Sequence, residues 1–406
     1  SIWPEVKSTI GTGHPALVID CLIGAGPGNA GSRLRGDVAS VRNWLSESRG
    51  RESPVLACDM PTGLGGQDVI KATATVTFHA EKWALRDADG QIQPAVGEIH
   101  TANLPWSARV EDCGPGDARR HPPIRADARK GDRGRLLIVG GGPYHGAPIL
   151  AGLAAERSGC DLIHVAMPSD AVERADWPLS LIPEPIGDTS HLTTLSVRAI
   201  LDRVLNGRGC QAVLIGPGLG REDSSIDAVC EIIEKLVEAN IPLIIDADAI
   251  RALPSHAWPN GMVGVVTPHA TEMAHWLGAS DPAEILQIRA RRDGIHRVVE
   301  DESCVIVRTG VEDELWAPGG RHCFAIGGHA RMSVGGTGDL LSGCIAGLIA
   351  QGMSPWAASR LGCALLRSAG ASAALEFGPG LSASDVPAHI ARTLAKWTGQ
   401  EADRDA

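Results

Sequence analysis

Short apolar runs alternate with longer amphipathic stretches along most of this chain. This alternation is typical of parallel β-strands joined by crossover α-helices. In the first part of the chain, the apolar runs predict strands over residues 16–20, 54–59 and 74–78. The amphipathic stretch at 37–46 predicts a helix between the first two of them. These elements predict part of an α/β domain.

The alternating pattern stops between residues 110 and 129, where a polar stretch with two adjacent prolines predicts a linker. A second α/β pattern follows. Its predicted buried strands are 135–139, 162–166, 212–215, 242–246, 264–267 and 305–308, and its helices begin near Ala147, Ser224, Glu272, Pro282 and Gly338. The sequence therefore predicts a first domain over residues 1–110, a linker over 111–128, a second domain over 129–398 and a tail over 399–406.

Length and composition agree with two folded domains. A chain of 406 residues exceeds what one hydrophobic core usually holds, and 44% of the residues are apolar. The net charge of −11, without a run of Lys or Arg, argues against nucleic acid or an anionic membrane as the main partner. No apolar run reaches the ~20 residues that span a bilayer, and no signal peptide opens the chain, so we expect a cytoplasmic protein.

The ten cysteines never approach the C-x-x-C spacing that a zinc or redox site requires. Free cysteine behaves as a small apolar side chain and is often buried. We therefore expect these residues to be buried thiols in a reducing compartment.

The glycine-rich segment at residues 335–339 carries the clearest chemistry. It reads Gly335, Gly336, Thr337, Gly338 and Asp339, and an apolar helical pattern follows it. Glycines let backbone N–H groups approach an anion, and a helix that begins there directs its positive end at the same point. A carboxylate at the edge of this cradle can take the proton of a hydroxyl while a phosphoryl group arrives. The alternative is a glycine-rich turn that Asp339 caps.

This cradle is not a P-loop, because the chain contains no G-x-x-x-x-G-K-[ST] sequence. Gly-Gly-Thr-Gly-Asp at the start of a helix resembles the ribokinase-like superfamily, whose members use this aspartate as a base. Further segments of the same kind occur in order at residues 130–132, 140–148, 216–220, 246–249 and 267–272. Together they resemble the ADP- or ATP-dependent NAD(P)H-hydrate dehydratases, over roughly residues 129–397.

The dehydratase resemblance implies a ribokinase-like three-layer α/β/α domain. It also implies a reaction in which ADP or ATP phosphorylates the hydroxyl of hydrated NADH or NADPH, after which phosphate leaves and the ring double bond returns. Asp339 would be the catalytic base and contact the hydrate, and Mg²⁺ is expected with the nucleotide. The other implied contacts are Ala147, Gly218 and His269 for the hydrate, and Thr309, Gly310, Gly336, Thr337 and Gly338 for the nucleotide.

Several of these positions keep a second interpretation. His269 is either a site residue or a structural histidine. Asp246 and Asp248 follow a predicted strand, where open α/β sheets place their ligands, yet both also fit helix caps. Where the family usually has Lys-Gly after the strand, this chain has Arg308, Thr309 and Gly310, so the positive charge for phosphate is either displaced to Arg308 or lost. Arg331 could supply that charge instead, unless it is only an exposed loop residue.

The first domain carries a G-x-G-x-x-G sequence at residues 26–31, which alone is weak evidence for a dinucleotide fold. Together with residues 18–26, 34–36, 59–64 and 75–82, it resembles the second half of an NAD(P)H-hydrate epimerase domain. This resemblance implies a partial Rossmann-like α/β domain ahead of the dehydratase domain.

The epimerase resemblance also implies site residues. Asp20 and Thr62 would hold a potassium ion, for which oxygen ligands are suitable. Gly24, Gly26 and the catalytic Asp59 would contact the hydrate. The alternative is an inert half-domain in which these residues only form turns and caps.

The epimerase family's Asn-Asn-Gly-Gly-Asp-Gly segment, from the first half of that domain, does not occur in the chain. Since the chain begins at Ser1 and soon enters a predicted strand, we expect a fragment or processed form with an incomplete epimerase site. The combined prediction is a bifunctional hydrate repair enzyme whose substrate is hydrated NADH or NADPH. The alternatives are a ribokinase-like kinase of a small vitamin-type alcohol and a binding module. The sequence leaves the oligomeric state open, a homo-oligomer included.

Overall fold

The computed structural model describes residues 15–24, 33–46, 53–78, 81–87, 90–102, 104, 111–188, 190–206, 209–286 and 303–399. The chain divides into two compact units, residues 1–107 and 108–406. Among the described residues, no helix is both long enough and apolar enough to cross a membrane.

A four-stranded parallel sheet forms the first unit, with the strands in the order β1–β2–β3–β4. The elements are β1 (Val18–Asp20), α1 (Gly36–Ser46), β2 (Val55–Cys58), β3 (Ala74–Phe78) and β4 (Glu98–Ala102). A small core of Met60, Leu64, Leu85 and Val96 is buried in this unit.

A nine-stranded sheet forms the second unit, in the order β13–β12–β11–β10–β9–β8–β5–β6–β7. Its strands are β5 (Arg135–Val139), β6 (Leu162–Pro168), β7 (Ile182–Ile186), β8 (Ala212–Ile215), β9 (Leu243–Ile245), β10 (Gly264–Val266), β11 (Cys304–Arg308), β12 (Asp313–Ala317) and β13 (Arg321–Ala325). Its helices are α2 (Gly146–Arg157), α3 (Ser169–Arg174), α4 (Val197–Leu205), α5 (Asp223–Glu238), α6 (Ala270–Leu277), α7 (Thr337–Ala350), α8 (Pro355–Phe377) and α9 (Val386–Thr398).

All neighbouring strands of this sheet are parallel except at one end, where β11, β12 and β13 pair antiparallel. The turn between β12 and β13 contains Gly319 and Gly320, whose φ angles are +77° and +75°. Two consecutive residues with positive φ suit a tight hairpin turn, and glycine adopts this conformation without a steric penalty.

Side chains that alternate along the central strands enter two separate cores. In β5, Leu136 and Ile138 belong to one core, whereas Leu137 and Val139 belong to the other. Helices α2, α7, α8 and α9 cover the first face of the sheet, and α4, α5 and α6 cover the second. Because both faces are covered, the central strands are apolar along their whole length. The unit is the predicted three-layer α/β/α fold.

Helices α2 and α7 pack closely because two glycines of α7 face α2. A Cβ on Gly343 would lie 2.0 Å from the carbonyl oxygen of Ala151, and one on Gly347 would lie 2.8 Å from Cα of Ala155. The contacts advance in the same direction along both helices, so the helices are parallel. Their N-termini, which carry positive partial charge, therefore lie at the same edge of the sheet.

The segment predicted as a linker, residues 111–128, groups with the second unit. Pro115–Arg120 forms a 3-10 helix in which Ala118 is buried. The guanidinium of Arg360 in α8 pairs with the carboxylate of Asp117 at 2.7 Å. The ion pair of Arg360 with Asp117 could not be predicted from the sequence, because the segment has no periodic apolar face. A single long-range ion pair leaves no local pattern.

Candidate active site

Four loops follow the carboxyl ends of β8, β9, β10 and β11, at the edge of the sheet where α2 and α7 begin. They contain residues 216–220, 246–248, 267–269 and 309–310, where several of the predicted site residues lie. Adjacent parallel strands end at the same edge, so the sheet brings together segments that are far apart in the sequence.

Two predicted substrate residues, Ala147 and Gly218, are direct neighbours. Gly218 has a φ of +69°, and a Cβ there would lie 2.1 Å from the carbonyl oxygen of Tyr144 and 3.2 Å from Cβ of Ala147. This backbone conformation and this close approach both require glycine. The loop after β8 is therefore seated on the N-terminus of α2.

The third predicted substrate residue, His269, lies beside the predicted nucleotide residue Thr309. The two residues form an isolated parallel bridge, and the N–H of Thr309 donates to the carbonyl of Pro268 at 2.9 Å. Nδ1 of His269 accepts from the N–H groups of Thr271 and Glu272, at 3.0 and 3.2 Å, and so caps α6. His269 is exposed. The imidazole thus caps α6 through Nδ1, while Nε2 lies 3.4 Å from Oε1 of Glu272.

The glycine-rich segment ends in the first turn of α7. Gly336 has a φ of +99°, and a Cβ there would lie 2.5 Å from Cδ1 of Leu150 in α2. The hydroxyl of Thr337 donates to the carbonyl of Met332 at 2.9 Å. Asp339 is the third residue of the helix and is half-buried. The cradle therefore lies against α2, one turn from Ala147.

A second carboxylate, that of Asp246, lies near Asp339. Asp246 is buried and accepts a hydrogen bond from the hydroxyl of Thr267 at 2.8 Å. Burial raises the pKa of Asp246 to about 6, although hydrogen bonds from Ser342 and Thr267 oppose the shift. Burial, and then the charge of Asp246, raises the pKa of Asp339 to about 7. Asp339 is therefore poised to exchange a proton near neutral pH.

The other charged residues singled out in the sequence have partners within the protein. Asp248 accepts from the N–H of Gly220 at 3.2 Å, and pairs with Arg221 at 3.3 Å. Arg308 pairs with Glu314 of β12. Nε of Arg331 donates to the carbonyl of Pro379 at 2.6 Å. None of these contacts directs either arginine toward the cradle.

A cavity of about 570 Å³ opens beside His269. Asp248, Arg251, His275 and Trp276 contribute to its walls. Its volume lies within the range of small-molecule sites, which is ~300–1,000 Å³. The exposed side of His269 thus faces space that a ligand could occupy.

In the first unit, Asp20 and Thr62 are in direct contact and both are buried. The N–H and the hydroxyl of Thr62 donate to the two carboxylate oxygens of Asp20, at 2.8 and 2.7 Å. The hydroxyl also accepts from the N–H of Ile23 at 3.1 Å. Oδ1 of Asp20 also accepts from the N–H of Leu22 at 3.3 Å, so Oδ2 is the oxygen with a lone pair that could bind a cation.

Asp59 follows β2 and has a φ of +70°, which is uncommon for a residue other than glycine. Nζ of Lys82 lies 3.1 Å from its Oδ1. A Cβ on Gly24 would lie 3.2 Å from Oδ2 of Asp59, so Gly24 and Asp59 face each other. The remaining predicted residue of this site, Gly26, lies outside the described residues.

The hydrogen bonds from Thr267 and Ser342 to Asp246, and the ion pair of Lys82 with Asp59, were not predicted from the sequence. Nor was Arg367, which donates a hydrogen bond to the carbonyl of Gly310. The two arginines in the mostly apolar sequence of α8, Arg360 and Arg367, were a signal that such residues are paired inside the protein.

Two known family profiles match this chain, one in each unit. The profile of the NAD(P)H-hydrate dehydratase family matches residues 136–392. The profile described as YjeF-related protein N-terminus matches residues 3–84.

Two similar proteins cover different shares of the chain. The bifunctional NAD(P)H-hydrate repair enzyme Nnr of Hyperthermus butylicus is 34% identical over 393 residues, which are 93% of this chain and 70% of that protein. The ADP-dependent (S)-NAD(P)H-hydrate dehydratase of Cenarchaeum symbiosum is 36% identical over 247 residues, which are 60% of this chain and 82% of that protein.

Among solved structures, the ADP/ATP-dependent NAD(P)H-hydrate dehydratase from Bacillus subtilis, co-crystallized with ATP/Mg²⁺, has a similar fold. The TM-score is 0.55 at 24% identity, over 70% of this chain and 97% of that one. The predicted ribokinase-like fold of the second unit is confirmed.

Proposed function

Because this chain belongs to the family of NAD(P)H-hydrate repair enzymes, we propose that its second unit dehydrates the S form of hydrated NADH and NADPH. The phosphate donor is ADP, which becomes AMP, or ATP. Of the similar proteins, the one from Cenarchaeum symbiosum is ADP-dependent and the one from Bacillus subtilis is ADP/ATP-dependent.

The position of Asp339 carries this proposal. Its carboxyl follows a glycine turn at the positive end of α7, and its pKa is raised to about 7 by burial and by Asp246. A carboxylate of this basicity takes a hydroxyl proton near neutral pH more readily than an ordinary aspartate does. The backbone N–H groups of the cradle can meanwhile stabilise the phosphoryl group.

The proposed reaction proceeds in two steps. In the first, Asp339 takes the proton of the hydrate hydroxyl as its oxygen bonds to the terminal phosphorus of the nucleotide, and the bond to the leaving phosphate oxygen breaks. In the second, the carbon–oxygen bond breaks and inorganic phosphate leaves with that oxygen. The neighbouring ring carbon loses a proton, and its electron pair forms the double bond. The products are NAD(P)H, inorganic phosphate and AMP or ADP.

Ala147, Gly218 and His269 are proposed to hold the hydrate, and Thr309, Gly310, Gly336, Thr337 and Gly338 the nucleotide. The adjacency of Ala147 to Gly218 supports a shared role for these two residues in binding the hydrate. The adjacency of His269 to Thr309 supports neighbouring sites for the hydrate and the nucleotide. The two ligands would then meet at the edge of the sheet where Asp339 lies.

Magnesium suits the donor set, since it keeps several waters and needs only one or two carboxylates beside nucleotide phosphates. Among the described residues, no group of three or more His, Cys, Asp or Glu side chains forms a metal cage. Asp246 would be the carboxylate that holds the ion, directly or through water, while Asp339 acts as the base. When bound, Mg²⁺ neutralises charge on the transferred phosphoryl group.

The test is the return of NADPH absorbance when the protein is mixed with NADPH hydrate and ADP or ATP, beside a sample without nucleotide. We expect recovery only with nucleotide, together with one inorganic phosphate per NADPH. Consumption of nucleotide without NADPH, or a stable phosphate ester as product, would instead identify a small-alcohol kinase and reject the dehydratase.

We also propose that the first unit contributes to the interconversion of the R and S hydrates. Asp59, Gly24 and Gly26 would contact the hydrate, with Asp59 as the catalytic group. The Asp20 carboxylate would hold K⁺, and Thr62 would orient that carboxylate through its two hydrogen bonds. The test supplies R-enriched hydrate to the protein with and without K⁺. Conversion no faster than the spontaneous rate in both samples would reject this role for the chain.

A further inference from the structure

Arg367 lies in the middle of α8, where it is buried. Its guanidinium uses all five of the N–H donors that an arginine has. Nε and Nη2 donate to the two carboxylate oxygens of Asp313, each at 2.7 Å. The other three bonds go to the carbonyl oxygens of Gly310 at 2.9 Å, Val311 at 2.7 Å and Gly327 at 2.9 Å.

These carbonyl oxygens belong to two different loops. Gly310 and Val311 lie between β11 and β12, whereas Gly327 follows β13. The N–H of Gly310 also donates to Asp313 at 3.3 Å, so the carboxylate that binds Arg367 closes the first loop as well. A buried network in which every donor is satisfied favours one arrangement of the backbone, because any other leaves polar groups unpaired.

The same stretch of α8 also contacts the segment that leads into the cradle. One turn after Arg367, a Cβ on Gly370 would lie 2.3 Å from Sδ of Met332. The carbonyl of Met332 accepts the hydrogen bond from the hydroxyl of Thr337, where α7 begins. One turn of α8 therefore fixes both the loop of Gly310 and the approach to Gly336 and Gly338.

We propose that Arg367 is a positioning residue for the adenine nucleotide. Through Asp313 and the three carbonyl groups, it holds the loop of Thr309 and Gly310 at a fixed place relative to the cradle. This inference rests on the proposed function, because it takes these two segments as the nucleotide site. Arg367 does not need to touch the nucleotide, so its loss weakens nucleotide binding without removing a reacting group.

Arg360 provides a matched control, because it lies two turns earlier on the same helix and forms a network of the same kind. Its guanidinium pairs with Asp117 at 2.7 Å and donates to the carbonyl oxygens of Glu111 at 2.8 Å and Asp112 at 3.0 Å. That network anchors the segment before β5 rather than a loop at the strand ends. Its loss should lower stability without changing nucleotide affinity.

The experiment compares Arg367→Lys with Arg360→Lys. Lysine keeps the charge but has three donors on a single nitrogen, so it cannot satisfy all the carbonyl groups. We expect Arg367→Lys to raise the Kd for ADP and the KM for nucleotide roughly tenfold, as the loss of one or two hydrogen bonds predicts. The KM for the hydrate and kcat should change less than about threefold. Arg360→Lys should lower Tm but leave the Kd for ADP unchanged.

If Arg367→Lys does not fold, Arg367→Met combined with Asp313→Leu replaces it, since removing both charges avoids a buried unpaired one. A normal Kd for ADP in a folded Arg367 variant overturns the inference. So does an equal increase of the Kd in both lysine variants. Wild-type protein that binds ADP but does not dehydrate the hydrate rejects the proposed function while leaving this comparison valid. Wild-type protein that binds no adenine nucleotide rejects both.

Discussion

Asp339, in the first turn of α7, lies close enough to the buried Asp246 for the negative charge of Asp246 to raise its pKa. The two residues come from different parts of the chain, since Asp246 follows β9 directly. The pair gives an aspartate at the glycine turn before α7 the basicity that a general base needs near neutral pH.

Replacing Asp339 with Asn removes the proposed base and preserves the shape of the side chain. We expect dehydratase kcat to fall by ~10²–10⁴, the usual contribution of a positioned base, while nucleotide still binds. Asp223→Asn, an exposed acid in the first turn of α5, is the matched control and should leave kcat unchanged. Near-normal turnover of Asp339→Asn would show that another group takes the proton.

The pH dependence of the wild-type enzyme should report the same group. Asp339 acts as a carboxylate, and its pKa is raised to about 7. Activity should therefore decline as the pH falls below about 7, rather than below its ordinary value of 3.8. The measurement is kcat/KM at saturating nucleotide as a function of pH. A profile that stays flat down to about pH 5 contradicts this assignment.

The raised pKa also predicts a stability effect. The folded protein keeps the proton on Asp339 up to about pH 7, whereas the unfolded chain releases it near 3.8. The free energy of unfolding that protonated Asp339 contributes is thus fully present below about pH 4, and it is lost as the pH rises through about 7. At pH 8, Asp339→Asn should be more stable than wild type by on the order of 2–4 kcal/mol. Urea unfolding at several pH values measures this difference, and identical pH dependence in both proteins would refute the prediction.

Gly343→Ala tests the contact between α2 and α7. The new methyl group would lie 2.0 Å from the carbonyl oxygen of Ala151, and both atoms belong to packed helices. We expect a loss of ~1–3 kcal/mol in the free energy of unfolding, as overpacking produces. Gly146→Ala is the control, because a Cβ at Gly146 meets no atom within 4 Å. Equal stability of the two variants would mean that the helices can move apart at little cost.

Thr62→Val tests the pair that Thr62 forms with Asp20 in the first unit. Valine keeps the shape and the backbone N–H but removes the hydroxyl that donates to Asp20 at 2.7 Å. Oδ1 of Asp20 would keep only the longer hydrogen bond from the N–H of Leu22 at 3.3 Å, so the loss of the hydroxyl should destabilise the protein by ~1–3 kcal/mol. Any stimulation of epimerisation by K⁺ should weaken as well. Thr62→Ser, which keeps the hydroxyl, should restore the K⁺ response. If Thr62→Val keeps a full K⁺ response, Thr62 has no part in the ion site.

The positions of several strands followed closely from the apolar runs of the sequence. The predicted strands 74–78, 135–139 and 212–215 have the same bounds in the structure. Strands β12 and β13 were not predicted, because they alternate buried with partly exposed positions and contain charged residues. Their pairing depends on a turn and on neighbours, which local apolar patterns do not encode.

The sequence by itself determined the glycine turn ahead of Asp339, since glycines before an aspartate at a helix start are a local pattern with a local physical cause. It also determined the family, through the order of its short motifs. Only the tertiary structure decided which groups lie close to that turn. The electrostatic effect of Asp246 on Asp339, the hydrogen bond from Arg367 to Gly310 and the ion pair of Arg360 with Asp117 join residues that are far apart in the chain. Such pairs form because the sheet brings its loops to one edge and burial requires each charge to find a partner.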